Sequence, residues 1–179
     1  MSQNSNNPSS KLNGQANGQD PNSTGPVFNV HRIYTKDVSF EAPHSPGIFN
    51  VKWEPKVDFD LQMGSSVLSE AESLYEVVLH LTVTIKLGEG QEEKSAFLIE
   101  VQQAGAFTVK NLPEDDIKLV LATTSAAILF PYANEAISNL AMRGGFPQLI
   151  LPPINFEAMY AHHLENQNNE TNAVSETVV

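Results

Sequence analysis

Residues 74–87, LYEVVLHLTVTIKL, place Tyr75, Val77, Leu79, Leu81, Val83 and Ile85 at one parity and Glu76, Val78, His80, Thr82, Thr84 and Lys86 at the other. Side chains alternate across an extended chain, so the stretch predicts a long β-strand with one dry face and one wetter face. The polar GEGQEEK (88–94) turns the chain, and SAFLIEVQQAGAFTV (95–109) returns. That pattern predicts an antiparallel hairpin with a loop longer than a tight turn. In the return strand Phe97, Ile99, Val101 and Gln103 alternate with Ala96, Leu98, Glu100 and Gln102.

Working outward, RIYTKDVSFEAP (32–43) predicts a strand with Tyr34, Lys36, Val38 and Phe40 on a core side and Thr35, Asp37, Ser39 and Glu41 facing water. Asp37 and Glu41 then stand about 13 Å apart on one face, at about 3.3 Å per residue. KVDFDL (56–61) alternates in the same way, with Val57, Phe59 and Leu61 against Asp58 and Asp60. The stretch between them, APHSPGIFNVKWEP (42–55), carries prolines and a glycine that forbid a regular element, yet its Ile48, Phe49 and Trp53 need apolar cover. QMGSSVLSEAES (62–73) reads as a polar link.

Beyond residue 114 the period changes. Ile128, Leu129, Tyr132, Ala136, Ile137 and Leu140 recur at helical spacing, Pro131 is expected to start or kink a helical segment, and Arg143-Gly144-Gly145 supplies a basic last turn and a stop. FPQLILPPINF (146–156) is extended and pinned by prolines. Asn155 predicts the N-cap of a second helix with Glu157 in its first turn and Phe156, Met159, Tyr160 and Leu164 along one side. Four strands followed by two helices predict an α+β domain, a four-stranded antiparallel sheet with two helices on one face. Such a domain has more apolar surface than it can bury, since the first helix is apolar on more than one side. Self-association is the first explanation and a binding groove the second.

Composition bounds the rest. The 179-residue chain is 41% hydrophobic, has no cysteine, and has 21 acidic against 10 basic residues, a formal net charge of −11. This balance argues against nucleic-acid and anionic-membrane partners, which need a basic footprint. The absence of cysteine removes disulfides and thiol chemistry and agrees with a reducing compartment. Neither a leader with an apolar core nor a run of about 18 apolar residues is evident, which gives the expectation of a soluble, unsecreted protein. Residues 1–26 and 165–179 are polar and low in apolar side chains, so they are expected to be flexible tails around a domain at 27–164.

No phosphate-binding loop, nucleophile elbow, zinc-protease motif or dinucleotide fingerprint occurs. His162 and His163 beside Glu165 are adjacent on a helix and point in different directions, so no metal is assigned. Glu135, on an apolar helix near a sheet, is the best candidate for a general base of a thioesterase-like enzyme, but an exposed or paired helix glutamate is the commoner case. The expectation is a protein that is not an enzyme and carries no cofactor.

The stretches RIYTKDVSFEAP, W-x-P at Trp53, YEVVLHLTVT, AFLIEVQQAGAF, ILFPYANEAISNLAMRGGFPQL and PINFEAMY occur in the order and spacing of the SecB family, which the chain resembles over roughly residues 28–164. The resemblance implies a cytosolic, ATP-independent holdase that keeps preproteins unfolded and delivers them to the translocation ATPase SecA, assembled as a homotetramer, a dimer of dimers. It places SecA docking on Asp37, Glu41, Leu98 and Glu100, and a subunit-interface role on Ile99, Val101 and Gln103. It also implies a client groove at Val57, Phe59 and Leu61, with Trp53, Phe146, Leu149, Phe156 and Tyr160 as lining. A carrier of small apolar molecules and a SecB-like chaperone of a toxin-antitoxin system are the alternatives.

Overall fold

The computed structural model describes residues 25–90 and 93–176. Nearly all of the N-terminal tail expected over 1–26 and part of the 88–94 turn therefore lie outside the described residues. Four strands, β1 (Val27–Glu41), β2 (Lys56–Ser69), β3 (Leu74–Leu87) and β4 (Lys94–Lys110), form one antiparallel sheet in the order β1-β4-β3-β2. The β3–β4 hairpin is its centre. Val77, Leu79, Leu81, Val83 and Ile85 of β3 are fully buried, as are Ile99 and Val101 of β4, and the pairings Val77↔Gly105, Leu81↔Val101 and Ile85↔Phe97 put these rows on one face.

That face is covered by a continuous helix, α1 (Glu114–Arg143), which contains a π-helical turn at Leu121–Ser125. The helix lies on β3 and β4 through Leu121, Ala126, Leu129, Phe130, Ala133, Ile137 and Ala141. It is long and apolar enough, by length and composition, to cross a membrane, but its apolar flank is the roof of the core. Pro131 neither starts nor ends it. The missing N–H and the ring affect the carbonyl of residue 127, and both Pro131 and Ala127 are on the exposed side of the helix. At the C-terminus Gly145 adopts φ +85°, the left-handed region that glycine enters most readily, and the Phe146 N–H donates to the Ala141 carbonyl at 3.0 Å, closing a Schellman cap.

Three expectations are corrected. Residues 62–69 continue β2, pairing with β3 from Gln62↔His80 to Ser69↔Leu74, because a strand partner satisfies the backbone of Gly64, Ser65 and Ser66 whatever their polarity. Tyr34 and Lys36 do not belong to the core side of β1. Register shifts between Val30 and Arg32 and between Thr35 and Asp37 insert His31 and Lys36 as extra residues, and each reverses the parity. Arg32, Tyr34, Asp37, Ser39 and Glu41 therefore share the outer face, while Ile33, Thr35, Val38 and Phe40 share the helix face. Finally, the second helix, α2 (Phe156–Glu176), does not share the sheet with α1; its principal contact is the π-helical turn of α1. It starts where expected, with the Ala158 N–H donating to Asn155 Oδ1 at 2.9 Å. It runs on to Glu176, through most of the stretch whose composition suggests a tail.

Packing is close where α1 crosses β4. A Cβ on Gly105 would come within 2.7 Å of the Phe107 ring and 2.9 Å of Leu129, whereas one on Gly64 in β2 would meet nothing within 4 Å. Gly105→Ala is expected to destabilise the fold by about 1–3 kcal/mol, the usual cost of overpacking. Gly64→Ala is expected to change the urea midpoint little, and equal midpoints for the two variants would contradict this packing.

Candidate functional site

The side of β2 that faces the helices carries Val57, Phe59, Leu61 and Met63, paired with Ile85, Val83, Leu81 and Leu79 of β3. Their β3 partners are fully buried, but α1 does not reach them: Val57, Phe59 and Met63 are 46%, 41% and 42% exposed. This apolar row runs about 20 Å from Val57 to Met63 at about 3.3 Å per residue. At the Met63 end α2 overhangs it. A cleft of about 460 Å³ lies between Met63, Gly64 and Ser65 of β2, Leu121 and Ala122 of α1, and Tyr160 and His163 of α2, with Asp115 and Lys118 also in its wall. An adjoining cleft of about 370 Å³ shares Met63, Ala122, Tyr160 and His163 and extends to Leu61, Phe156 and Met159. Together they make one trough, apolar along the bottom and polar at the lip.

Local chemistry sets the trough's width. The Asn134 side chain donates from Nδ2 to the Leu151 carbonyl and accepts from the Leu151 N–H through Oδ1, both at 3.0 Å, so it pairs with the 144–155 connection as a strand would. Phe156 then packs edge-on against Phe130 at 6.0 Å between ring centroids, and the Asn155 cap begins the overhanging helix. At the other end of the row, Phe146 is the hub of an aromatic cluster, with ring centroids 4.7 Å from Phe97, 5.1 Å from Phe49, 6.1 Å from Trp53 and 6.5 Å from Phe40.

The lining expected from the sequence thus separates into groups. Leu61, Phe156 and Tyr160 meet in the trough; Val57 and Phe59 extend it; Trp53 is 38% exposed at the far end. Phe146 and Phe156 are buried, at 6% and 3% exposed, so they support the surface from below, and Leu149 packs at the margin of the core. Met63, Ala122, Met159 and His163 were missed. For Met63 a signal existed, the odd parity continued past Leu61, but it was masked by the glycine and serines that follow.

The opposite face of the sheet is polar. Its rows include Asp37–Gln102–His80–Gln62, Ser39–Glu100–Thr82–Asp60 and Glu41–Leu98–Thr84–Asp58. The expected docking residues Asp37, Glu41, Leu98 and Glu100 therefore form one patch on two neighbouring strands. Asp58 pairs with Lys86 at 2.7 Å and Glu76 with Lys36 at 3.0 Å, whereas Asp37 and Glu41 are exposed and in no ion pair among the described residues. The Tyr34 hydroxyl also donates to Glu76. That bond, then the Lys36 ammonium, holds the Glu76 carboxyl below its usual range, and the same bond with burial pushes the Tyr34 phenol up to about 12. Ile99, Val101 and Gln103 lie on the other face, buried under α1 at 0%, 0% and 3% exposed.

The remaining candidates are brought to no common site. Glu135 is exposed and accepts a hydrogen bond from Asn139 one turn on. His162 contacts Asn166 at 3.2 Å while His163 lines the trough, so the two imidazoles diverge. Among the described residues no three of His, Asp and Glu gather as a metal site.

Three likenesses bear on this arrangement. A protein-export protein SecB of Methylococcus capsulatus is 49% identical over 138 residues, covering 77% of this chain and 85% of that protein. A solved SecB-like chaperone of Mycobacterium tuberculosis, in complex with a ChAD peptide from the HigA1 antitoxin, superposes with a TM-score of 0.58 at 17% identity, covering 71% of this chain and 90% of that one, which is a likeness of fold. Residues 21–167 match the family described as preprotein translocase subunit SecB, and the chain belongs to this family of protein-export chaperones.

Proposed function

We propose that this chain is an ATP-independent holdase that carries unfolded preproteins along the β2–α2 trough and presents the outer sheet face to SecA. The observation that carries the reading is the uncovered row Val57, Phe59, Leu61 and Met63, which opens into the cleft under α2. Large apolar side chains contribute on the order of 1.5–3 kcal/mol each when fully covered and do not read sequence, which suits clients that share only exposed hydrophobic segments. Many modest contacts along one trough add through effective concentration. The partial exposure of the row supports an extended polypeptide over a small apolar ligand, which would need a closed pocket.

On this reading the clients are held in the cytoplasm and the working form is a dimer of dimers. The exposed residues of α1, among them Leu119, Tyr132 and Met142, are the apolar surface that a second copy would cover. Ile99, Val101 and Gln103 would act on assembly indirectly, by setting how α1 sits on the sheet. For SecA the outer face offers Asp37 and Glu41, exposed carboxylates in no ion pair among the described residues, with Leu98 and Glu100 beside them, a surface suited to a basic partner.

Phe59→Ala with Met63→Ala is expected to weaken binding of an unfolded polypeptide by about thirtyfold, from the loss of roughly 1 kcal/mol of covered surface at each position, with SecA affinity retained. Unchanged suppression of client aggregation would refute the trough. Reversing charge with Asp37→Lys and Glu41→Lys is expected to lower SecA affinity at least about tenfold at low salt, less at high salt, while aggregation suppression stays intact. Normal SecA binding by that variant would remove the docking assignment. Native mass measurement is expected to give four copies of the chain, and a monomer at working concentration would contradict the assembly.

A further inference from the structure

The register shift at Lys36 has an electrostatic consequence. An extra residue in a strand leaves two consecutive side chains on one face, so Lys36 stands on the outer face directly beside Asp37. A free ammonium there would neutralise one of the carboxylates assigned to docking. It is instead drawn away: Lys36 Nζ lies 3.0 Å from both carboxylate oxygens of Glu76 on β3.

The geometry that allows this is specific. Glu76 is two strands from Lys36, about 9.6 Å across the sheet at about 4.8 Å per strand, and the strand between them is β4. At that level β4 shows only Ala104 and Ala106 to the outer face, opposite Tyr34 and Arg32 on one side and Val78 and Glu76 on the other. Two small side chains leave a trough over which Tyr34 and Lys36 both reach. The Tyr34 hydroxyl donates to the Glu76 oxygen that Lys36 also contacts, which fixes the carboxylate, and its side chain is only 14% exposed. Glu76 is thus shielded from any partner, while Asp37 and Glu41 remain exposed. Of the other carboxylates near them, Glu100 accepts only from the Ser39 hydroxyl at 3.3 Å and Asp60 from Gln62 at 3.0 Å, with no cation on either among the described residues.

We infer that Glu76, held by Tyr34, is a positioning residue for docking. It sequesters the Lys36 ammonium away from Asp37 and Glu100 and so keeps the outer face acidic toward a basic protein partner. The inference rests on the SecA-docking reading of that face and names a residue that never touches the partner.

The test is a set of SecA titrations at low salt on the full chain. Glu76→Gln is expected to weaken binding about fivefold, the scale of one freed surface charge. Adding Lys36→Met should return affinity to within about twofold of the parent, because the liberated cation is gone. Glu72→Gln, which removes the same formal charge from the exposed turn between β2 and β3, should bind like the parent. Tyr34→Phe, which deletes only the hydroxyl, should weaken binding in the same direction and keeps the test open if Glu76→Gln fails to fold. Parent-like binding by both Glu76→Gln and Tyr34→Phe overturns the inference, as does a double variant as weak as Glu76→Gln, or a Glu72→Gln loss of equal size. Asp37→Lys separates the two levels. If it weakens SecA binding and the Glu76 and Tyr34 variants do not, only the present inference falls; if it too binds normally, the docking reading falls with it.

Discussion

One helix cannot roof four strands. At about 4.8 Å per strand the sheet is roughly 19 Å wide, while a helix with its side chains spans about 10–12 Å. The helix α1 settles over β3 and β4, where Gly105 allows close approach and the fully buried rows of Val, Leu and Ile are found. Everything that looks functional follows from what this leaves uncovered. The apolar row of β2 extends the same layer as the core yet stays open, and α2, anchored on the π-helical turn of α1, leans over it without closing it.

The sheet thereby separates two kinds of chemistry by about the thickness of one strand layer. On the helix side, shallow apolar contacts suit chains whose only common property is exposed hydrophobic surface. On the outer side, carboxylates and a few neutral side chains suit a charged, specific partner. Because side chains alternate, both surfaces are written into the same strands, and a change on one face has little direct contact with the other. The bulges in β1 refine this. Their two reversals of parity cancel for Asp37, Ser39 and Glu41, which stay on the face of Glu100, while Arg32 and Tyr34 are turned onto that face and Lys36 is added beside Asp37, where it pairs with Glu76.

How much of this could be read from the chain depends on which force sets each feature. The β3–β4 hairpin was plain because both faces of its strands differ in polarity over long runs, and the Asn155 cap and the Gly144-Gly145 stop were plain because they are local chemistry. The second half of β2 was hidden, since its glycine and serines are held by backbone pairing that leaves no trace in composition. The bulges at His31 and Lys36 were hidden for the same reason, and strict alternation therefore misplaced Tyr34 and Lys36. Of the trough, Val57, Phe59 and Leu61 were visible by parity; Met159 and His163 depend on where a distant helix lands. The acidic patch was legible as charge on a face, and its assignment to docking came from family resemblance.

On the reading proposed above, one sheet serves the client on one face and the export machinery on the other. Site-specific photo-crosslinking tests it most directly, with a photoreactive side chain placed at Met63 in one variant and at Ser39 in another, each mixed with unfolded preprotein and SecA together. Preprotein adducts are expected from Met63 and SecA adducts from Ser39, each in large excess over the other. Preprotein captured mainly at Ser39, or SecA mainly at Met63, would contradict it.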